Sequence, residues 1–208
     1  MEDSMADLAY DYDDVKPLKS RPPLKEVKWT YKDYKGWELK PGERVELIYG
    51  IVYAMSAPNI PHQRIATILT GEFYNFLKNK TCEPFTAPVD VRLFYKEDES
   101  DDTVVQPDII VVCDPQKLGK EGCRGAPDLV IEILSPSNTV TEMLRKKNLY
   151  QKAGVLEFWI IDPEEKQIEI NILKDGHYSV HYINIGETLK SFKFPGFELP
   201  LDVLFAEE

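Results

Sequence analysis

The chain has 208 residues, 43% of them hydrophobic, which suits a single domain with a real core and excludes a low-complexity or fibrous protein. Its formal net charge of −11 argues against a nucleic-acid partner when taken whole, yet six acids and no base fall in residues 1–14 and five more acids in Glu97-Asp98-Glu99-Ser100-Asp101-Asp102. Without those two stretches the body is neutral, so local basic patches are permitted but not predicted.

In chain order, residues 1–27 read as a flexible, acidic, proline-containing N-terminal arm, and residues 28–208 as the folded domain. Thr30-Tyr31-Lys32-Asp33 has the form of a capping box that starts a short helix. Residues 45–57 predict a hairpin broken at Tyr49-Gly50. From Pro61 to about Lys78, Ile65, Ile68, Leu69, Phe73, Phe76 and Leu77 recur at helical spacing. Strands are expected over 84–95 and 104–113, on either side of the acidic loop, and over 128–134. Ser137 or Asn138 can cap a helix that runs to about Ala153 and stops at Gly154. Strands over 156–161, 167–173 and 178–183 follow, the last two joined by an Asp175-Gly176 hairpin turn. This order predicts an α/β (α+β) fold: a mixed central sheet flanked by helices, with an extra C-terminal β-hairpin region.

No run of about 18 apolar residues occurs, so no membrane partner is expected. The acidic start lacks the features of a signal peptide, and a cytoplasmic location is the expectation. Cys82, Cys113 and Cys123, odd in number and without CxxC spacing, read as reduced packing thiols.

The chemistry concentrates in two apolar strands. Val104-Val105-Gln106-Pro107-Asp108-Ile109-Ile110-Val111-Val112 and Asp128-Leu129-Val130-Ile131-Glu132-Ile133-Leu134 have the composition of central strands covered on both faces. Burying an ionised carboxylate without a partner costs at least several kcal/mol. Asp108 and Glu132 together therefore point to a shared cation, and hard oxygen donors suit Mg²⁺ or Mn²⁺ better than zinc. On the next helix Lys146 interrupts the apolar stripe of Met143, Tyr150 and Ala153. Such a lysine either snorkels or, near two carboxylates, orients an attacking water or stabilises charge on a transferring phosphoryl group. Glu142, one turn earlier, is placed to pair with it. Arg145 and Lys147 should point elsewhere, with a phosphate backbone as one destination.

Pro107-Asp108 followed by Glu132-Ile133-Leu134 resembles the PD-(D/E)XK nuclease superfamily, whose fold is restriction-endonuclease-like. More closely, the chain resembles the Uma-two family of restriction endonucleases, once classed as a domain of unknown function. The matching stretches, from about residue 28 to 205, include Thr30-Tyr31-Lys32-Asp33-Tyr34, Val45-Glu46-Leu47-Ile48-Tyr49-Gly50, Pro61-His62-Gln63, Val105-Gln106-Pro107-Asp108, Leu129 to Ser137, Lys146 to Tyr150 and Ala153 to Pro163. The resemblance implies a catalytic set of Asp108, Glu132, Lys146, Glu46 and His62, with Asp108, Glu132 and Glu46 as metal ligands for Mg²⁺ or Mn²⁺. Lys146 would be the catalytic lysine displaced to a helix, because Leu134 stands where the motif has its lysine. Tyr49 departs from the acid usual before Gly50. The implied activity is metal-dependent endonuclease hydrolysis of DNA phosphodiester bonds. Two alternatives stay open: a nuclease fold with little cleavage that acts as a binding or regulatory protein, and a metal-dependent hydrolase of smaller substrates. A homodimer is compatible with cutting both strands, and the segment from Phe194 to Phe205 would cover either its own core or a partner's.

His177 and His181 are four apart on an expected strand, about 13 Å at 3.3 Å per residue, which argues against a joint metal site. There is no GxxxxGK[ST], GxGxxG or GxSxG motif. Trp29, Trp37 and Trp159 read as core or anchoring residues.

Overall fold

Two apolar runs, residues 109–112 and 129–133, can be satisfied only in the middle of a sheet, and they set the architecture. The computed structural model describes residues 28–206, so the predicted arm, residues 1–27, lies outside the described residues. In chain order the elements are α1 (Tyr31–Tyr34), β1 (Val45–Ile48), β2 (Ile51–Ala54), α2 (Ile60–Leu77), β3 (Glu83–Thr86), β4 (Val91–Arg92), β5 (Ile109–Val112), β6 (Leu118–Gly119), β7 (Gly122–Arg124) and β8 (Leu129–Ile133). Then come α3 (Val140–Ala153), β9 (Glu157–Asp162), β10 (Gln167–Lys174), β11 (His177–Asn184), β12 (Thr188–Lys190), β13 (Glu198–Pro200) and α4 (Leu201–Leu204).

The main sheet has six strands in the order β11-β10-β9-β8-β5-β3. Within this sheet only β8 and β9 pair in parallel, and α3 makes the crossover between them. Side chains alternate across the sheet. Ile109, Val111, Leu129, Ile131 and Trp159 face α2, which presents Ile65, Leu69, Phe73 and Leu77 at helical spacing. Ile110, Val112, Val130 and Phe158 face the other way, towards Leu149 and Tyr150 of α3 and Val91 and Cys123 of a small sheet ordered β4-β7-β6. The mixed sheet flanked by helices is thus the fold read from the sequence.

Boundaries moved where turn chemistry and long-range pairing decide them. The stretch 84–95 divides into β3 and β4 around a cis Ala87-Pro88 peptide, and proline can donate no ladder hydrogen bond. The stretch 104–113 also divides. Val104 and Val105 bridge Leu47 and Val91, so only residues 109–112 join the main sheet and Asp108 stands at the corner. Thr139, not Ser137 or Asn138, caps α3, its hydroxyl accepting from Glu142 N at 3.2 Å, while Asn138 Oδ1 is occupied by Ser135 N at 2.7 Å. Gly154 closes the helix at φ 87°, in the left-handed region that favours glycine.

The β1–β2 register pairs Ile48 with Ile51, leaving Tyr49-Gly50 as a two-residue turn with φ of 51° and 80°. A Cβ on residue 50 would also come within 2.9 Å of the Lys28 side chain. The expectation of three reduced thiols is corrected. Cys82 and Cys113 are the next antiparallel pair beyond Glu83 and Val112 and form a disulfide, while Cys123 is free and buried. No sequence spacing shows that register.

Beyond the β10–β11 hairpin, β12 and β13 pair with each other, and Phe194, Phe197, Leu199 and Leu201 pack into the α2-side core. The C-terminal segment thus covers its own domain. Glu157 pins it: this buried carboxylate accepts from Trp159 Nε1 (2.7 Å), Ser191 Oγ (2.8 Å), Phe192 N (3.1 Å) and Lys193 N (2.7 Å). Glu157→Ala strands those donors and should cost roughly 3–5 kcal/mol, lowering Tm by roughly 10 °C in a thermal melt. An unchanged Tm would mean that the segment is held by its apolar side chains alone.

Candidate active site

The sheet register builds the site. β5 and β8 pair Ile109 with Ile131, and one step further sets Asp108 opposite Glu132 on the α3-facing side. The corner is fixed by Ile133 N, which donates to Asp108 Oδ2 at 2.8 Å. α3 lays Leu149 and Tyr150 on that face, and Lys146 follows one turn back. Lys146 Nζ donates to Glu132 Oε1 at 3.0 Å and to Glu46 Oε1 at 3.2 Å. Glu46 arrives on β1, held by Gln106 N, which donates to the same oxygen at 3.0 Å. Tyr150 Oη donates to Glu132 Oε1 at 2.5 Å. His62 sits in the first turn of α2, capped by Asn59, with Nε2 3.1 Å from Asp108 Oδ2.

All five residues expected from the sequence, Asp108, Glu132, Lys146, Glu46 and His62, therefore line one cavity of about 310 Å³. Glu46, His62, Glu132 and Lys146 are buried. Burial pushes the Glu132 carboxyl up to about 7; Lys146 opposes that shift, while Asp108 and Glu46 add to it. Burial alone would lower the Lys146 pKa, but Glu132 and Glu46 outweigh it, so the ammonium is held charged well above its usual range. Burial, and then the charge of Glu132, raises the Tyr150 phenol well above its ordinary value, which keeps it a neutral donor.

Three carboxylates and one lysine leave the cluster rich in negative charge and in hard oxygen donors. Asp108 uses Oδ2 on the protein, and Glu132 and Glu46 use Oε1; their second oxygens accept no hydrogen bond among the described residues. No group of three or more His, Cys, Asp or Glu side chains stands ready as a complete metal cage among the described residues. Mg²⁺ asks for less, since it is commonly held by one or two carboxylates, with waters and substrate phosphates completing its shell. The Asp108–Glu132 pair fits that smaller demand.

Two expectations on α3 are corrected. Glu142 does not pair with Lys146 but accepts from Asn138 Nδ2 at 3.1 Å, because Glu132 and Glu46 take the ammonium on the buried side. Lys147 pairs with Glu169 at 2.7 Å. Arg145 instead lines the cavity, its guanidinium 4.3 Å above the Tyr53 ring. Sequence reasoning left Gln106, Tyr150 and Arg44 without roles. Tyr150 had a signal, four residues after Lys146 on the same helix face. Gln106 and Arg44 had none, because their partners come from distant segments.

Comparison with known proteins places the fold. A model of the Uma2 family, described as "Putative restriction endonuclease", matches residues 31–202. The uncharacterized protein slr1290 of Synechocystis sp. (strain ATCC 27184 / PCC 6803 / Kazusa) is 25% identical over 181 residues, covering 86% of this chain and 92% of its own. A crystal structure from Anabaena variabilis ATCC 29413, described as a putative nuclease belonging to DUF820, superposes with a TM-score of 0.70 at 20% identity. It covers 86% of this chain and 98% of its own and shares the fold. With nearly the whole described domain inside the family match, the chain belongs to the Uma2 family of restriction-endonuclease-like proteins.

Proposed function

We propose that this protein is a metal-dependent endonuclease that hydrolyses DNA phosphodiester bonds. One observation carries the reading: Asp108, Glu132, Glu46 and Lys146, drawn from four separate segments of a Uma2-family fold, meet in one cavity. A divalent cation, Mg²⁺ or Mn²⁺, held by Asp108 and Glu132 with Glu46 beside them, would supply charge neutralisation at the scissile phosphate. Ile133 N and His62 orient Asp108, and Tyr150 and Lys146 orient Glu132. Lys146 offers a fixed positive charge where negative charge grows on the phosphoryl oxygens, at no reorganisation cost at that moment. In hydrolysis the water oxygen bonds to phosphorus as the P–O bond to the leaving nucleotide breaks, and a proton passes to that leaving oxygen.

The reading in which the fold binds without cutting draws on a specific feature: Lys146 already bridges Glu46 and Glu132, partly neutralising the site by itself. Cleavage decides between them. Wild-type protein should nick supercoiled plasmid with Mg²⁺ or Mn²⁺ and not in EDTA, and Glu132→Ala should lose at least about 100-fold in rate. Equal rates in the two proteins would remove Glu132 from the chemistry, and no cleavage by either would favour the binding reading.

Metal binding has its own readout. A cation that binds only the folded state, at about 100 times its Kd, adds about 2.7 kcal/mol. For a domain of this size that is a rise in Tm of roughly 5–10 °C. Mn²⁺ should produce that rise in wild type and little or none in Asp108→Ala or Glu132→Ala. A shift of equal size in all three proteins would place the ion elsewhere.

A further inference from the structure

A cavity lined by the carboxylates of Glu46, Asp108, Glu132 and Glu142 repels the phosphodiester it is proposed to cut, and Lys146 is occupied by Glu46 and Glu132. His62 is likewise taken by Asp108. Of the basic residues lining this cavity, Arg44 and Arg145 alone make no ion pair among the described residues.

Both are aimed by their surroundings. Arg44 directly precedes β1, and its carbonyl accepts from Met55 N at 2.9 Å. Strand alternation sets Arg44, Glu46 and Ile48 on one face, and all three line the cavity. Arg44 Nε donates to Gln106 Oε1 at 2.9 Å. Gln106 is itself fixed, its Nε2 donating to Asp90 Oδ1 at 2.8 Å and to Tyr34 Oη at 3.2 Å. One end of the guanidinium is thereby anchored, while Nη2 is buried without a hydrogen-bond partner among the described residues. A buried, charged donor left unmet is rare in folded proteins and is more often found at functional sites than in plain structural positions. Arg145 approaches from α3, its guanidinium stacked over Tyr53, which lies opposite Glu46 in the hairpin register. The ring supports the cation without using its hydrogen-bond donors.

We propose that Arg44 and Arg145 form a two-guanidinium clamp that binds a substrate phosphate on the hairpin side of the carboxylate cluster. Planar, permanently charged guanidinium forks match phosphate oxygens in pairs. The proposal rests on the phosphodiesterase reading for the identity of that phosphate, and it assigns these two residues to positioning the backbone of a nucleic acid, not to reading its bases.

The test is binding without turnover. Fluorescence anisotropy of a labelled 20-base-pair duplex, titrated in EDTA at several salt concentrations, compares wild type with Arg44→Gln, Arg145→Gln and the double variant. Lys190→Gln, which alters an exposed cation paired with Glu198, serves as the charge control. Each arginine change should weaken binding roughly 10-fold and lower the slope of log affinity against log salt by about one, with no change for Lys190→Gln. Arg44→Lys, which keeps the charge but loses the fork, should recover the slope and not the full affinity. Unchanged affinity and slope in the arginine variants, an equal loss in Lys190→Gln, or no duplex binding by wild type in EDTA would overturn the clamp. Should Arg44→Gln unfold, Arg145→Gln decides alone. Plasmid cleavage by the same samples separates the two claims. Metal-dependent cleavage by wild type with unaltered binding by the variants removes the clamp and keeps the nuclease. Binding that depends on the arginines, without cleavage in any metal, keeps the clamp and removes the nuclease.

Discussion

The site depends on a single buried ammonium. Lys146 Nζ lies between Glu46 Oε1 and Glu132 Oε1, and all three side chains are buried. Removing three charges from water is expensive, and attraction between them returns that cost only with close geometry and further hydrogen bonds. The supporting bonds are present: Gln106 N on Glu46, Tyr150 Oη on Glu132 and Ile133 N on Asp108. An apolar trio of similar volume would stabilise the same fold as well or better. A cluster of this kind in the middle of a core is therefore poor evidence of selection for stability and better evidence of selection for chemistry.

The fold delivers these groups by interrupting its own regularity. Val104 and Val105 leave the line of β5 to bridge β1 and β4, which draws Glu46 over the sheet and leaves Asp108 at the bend. Next to Val91 on β4, Arg92 forms a buried bidentate ion pair with Asp101, its guanidinium 3.7 Å from the centre of the Tyr31 ring. Asp101 thus belongs to the acidic loop by sequence and to the interior by position.

What the sequence disclosed tracks the range of the interactions involved. Periodicity marked α2, α3 and the β10–β11 hairpin, because those elements are specified by neighbours along the chain. The two acids in apolar strands were conspicuous for the same reason, since each is a local conflict between a charge and its setting. The small sheet of β4, β6 and β7, the β12–β13 pair and the disulfide were not legible, since each joins short segments whose pairing only the whole fold defines. The partner of Lys146 shows the limit most clearly. Helix spacing offered Glu142, four residues away, whereas the fold supplied Glu46, 100 residues away, and Glu132.

Glu157 and Glu132 show why burial of an acid does not by itself mark function. They sit on the paired strands β9 and β8, each beside strongly apolar residues, and apolar setting alone does not separate them. Around Glu157 four donors, two of them backbone amides, meet both oxygens of one carboxylate, and no acid competes for them. Around Glu132 one lysine is shared with Glu46, Asp108 stands opposite, and Tyr150 is the only neutral donor among the described residues. The first acid is matched and serves as a clasp for the C-terminal segment. The second belongs to a cluster short of positive charge, and its pKa is raised first by burial and further by Asp108 and Glu46, against the opposing charge of Lys146. On the proposed reading, a divalent cation would act on this imbalance at the carboxylates, and the guanidinium groups of Arg44 and Arg145 would act on the anion that approaches them.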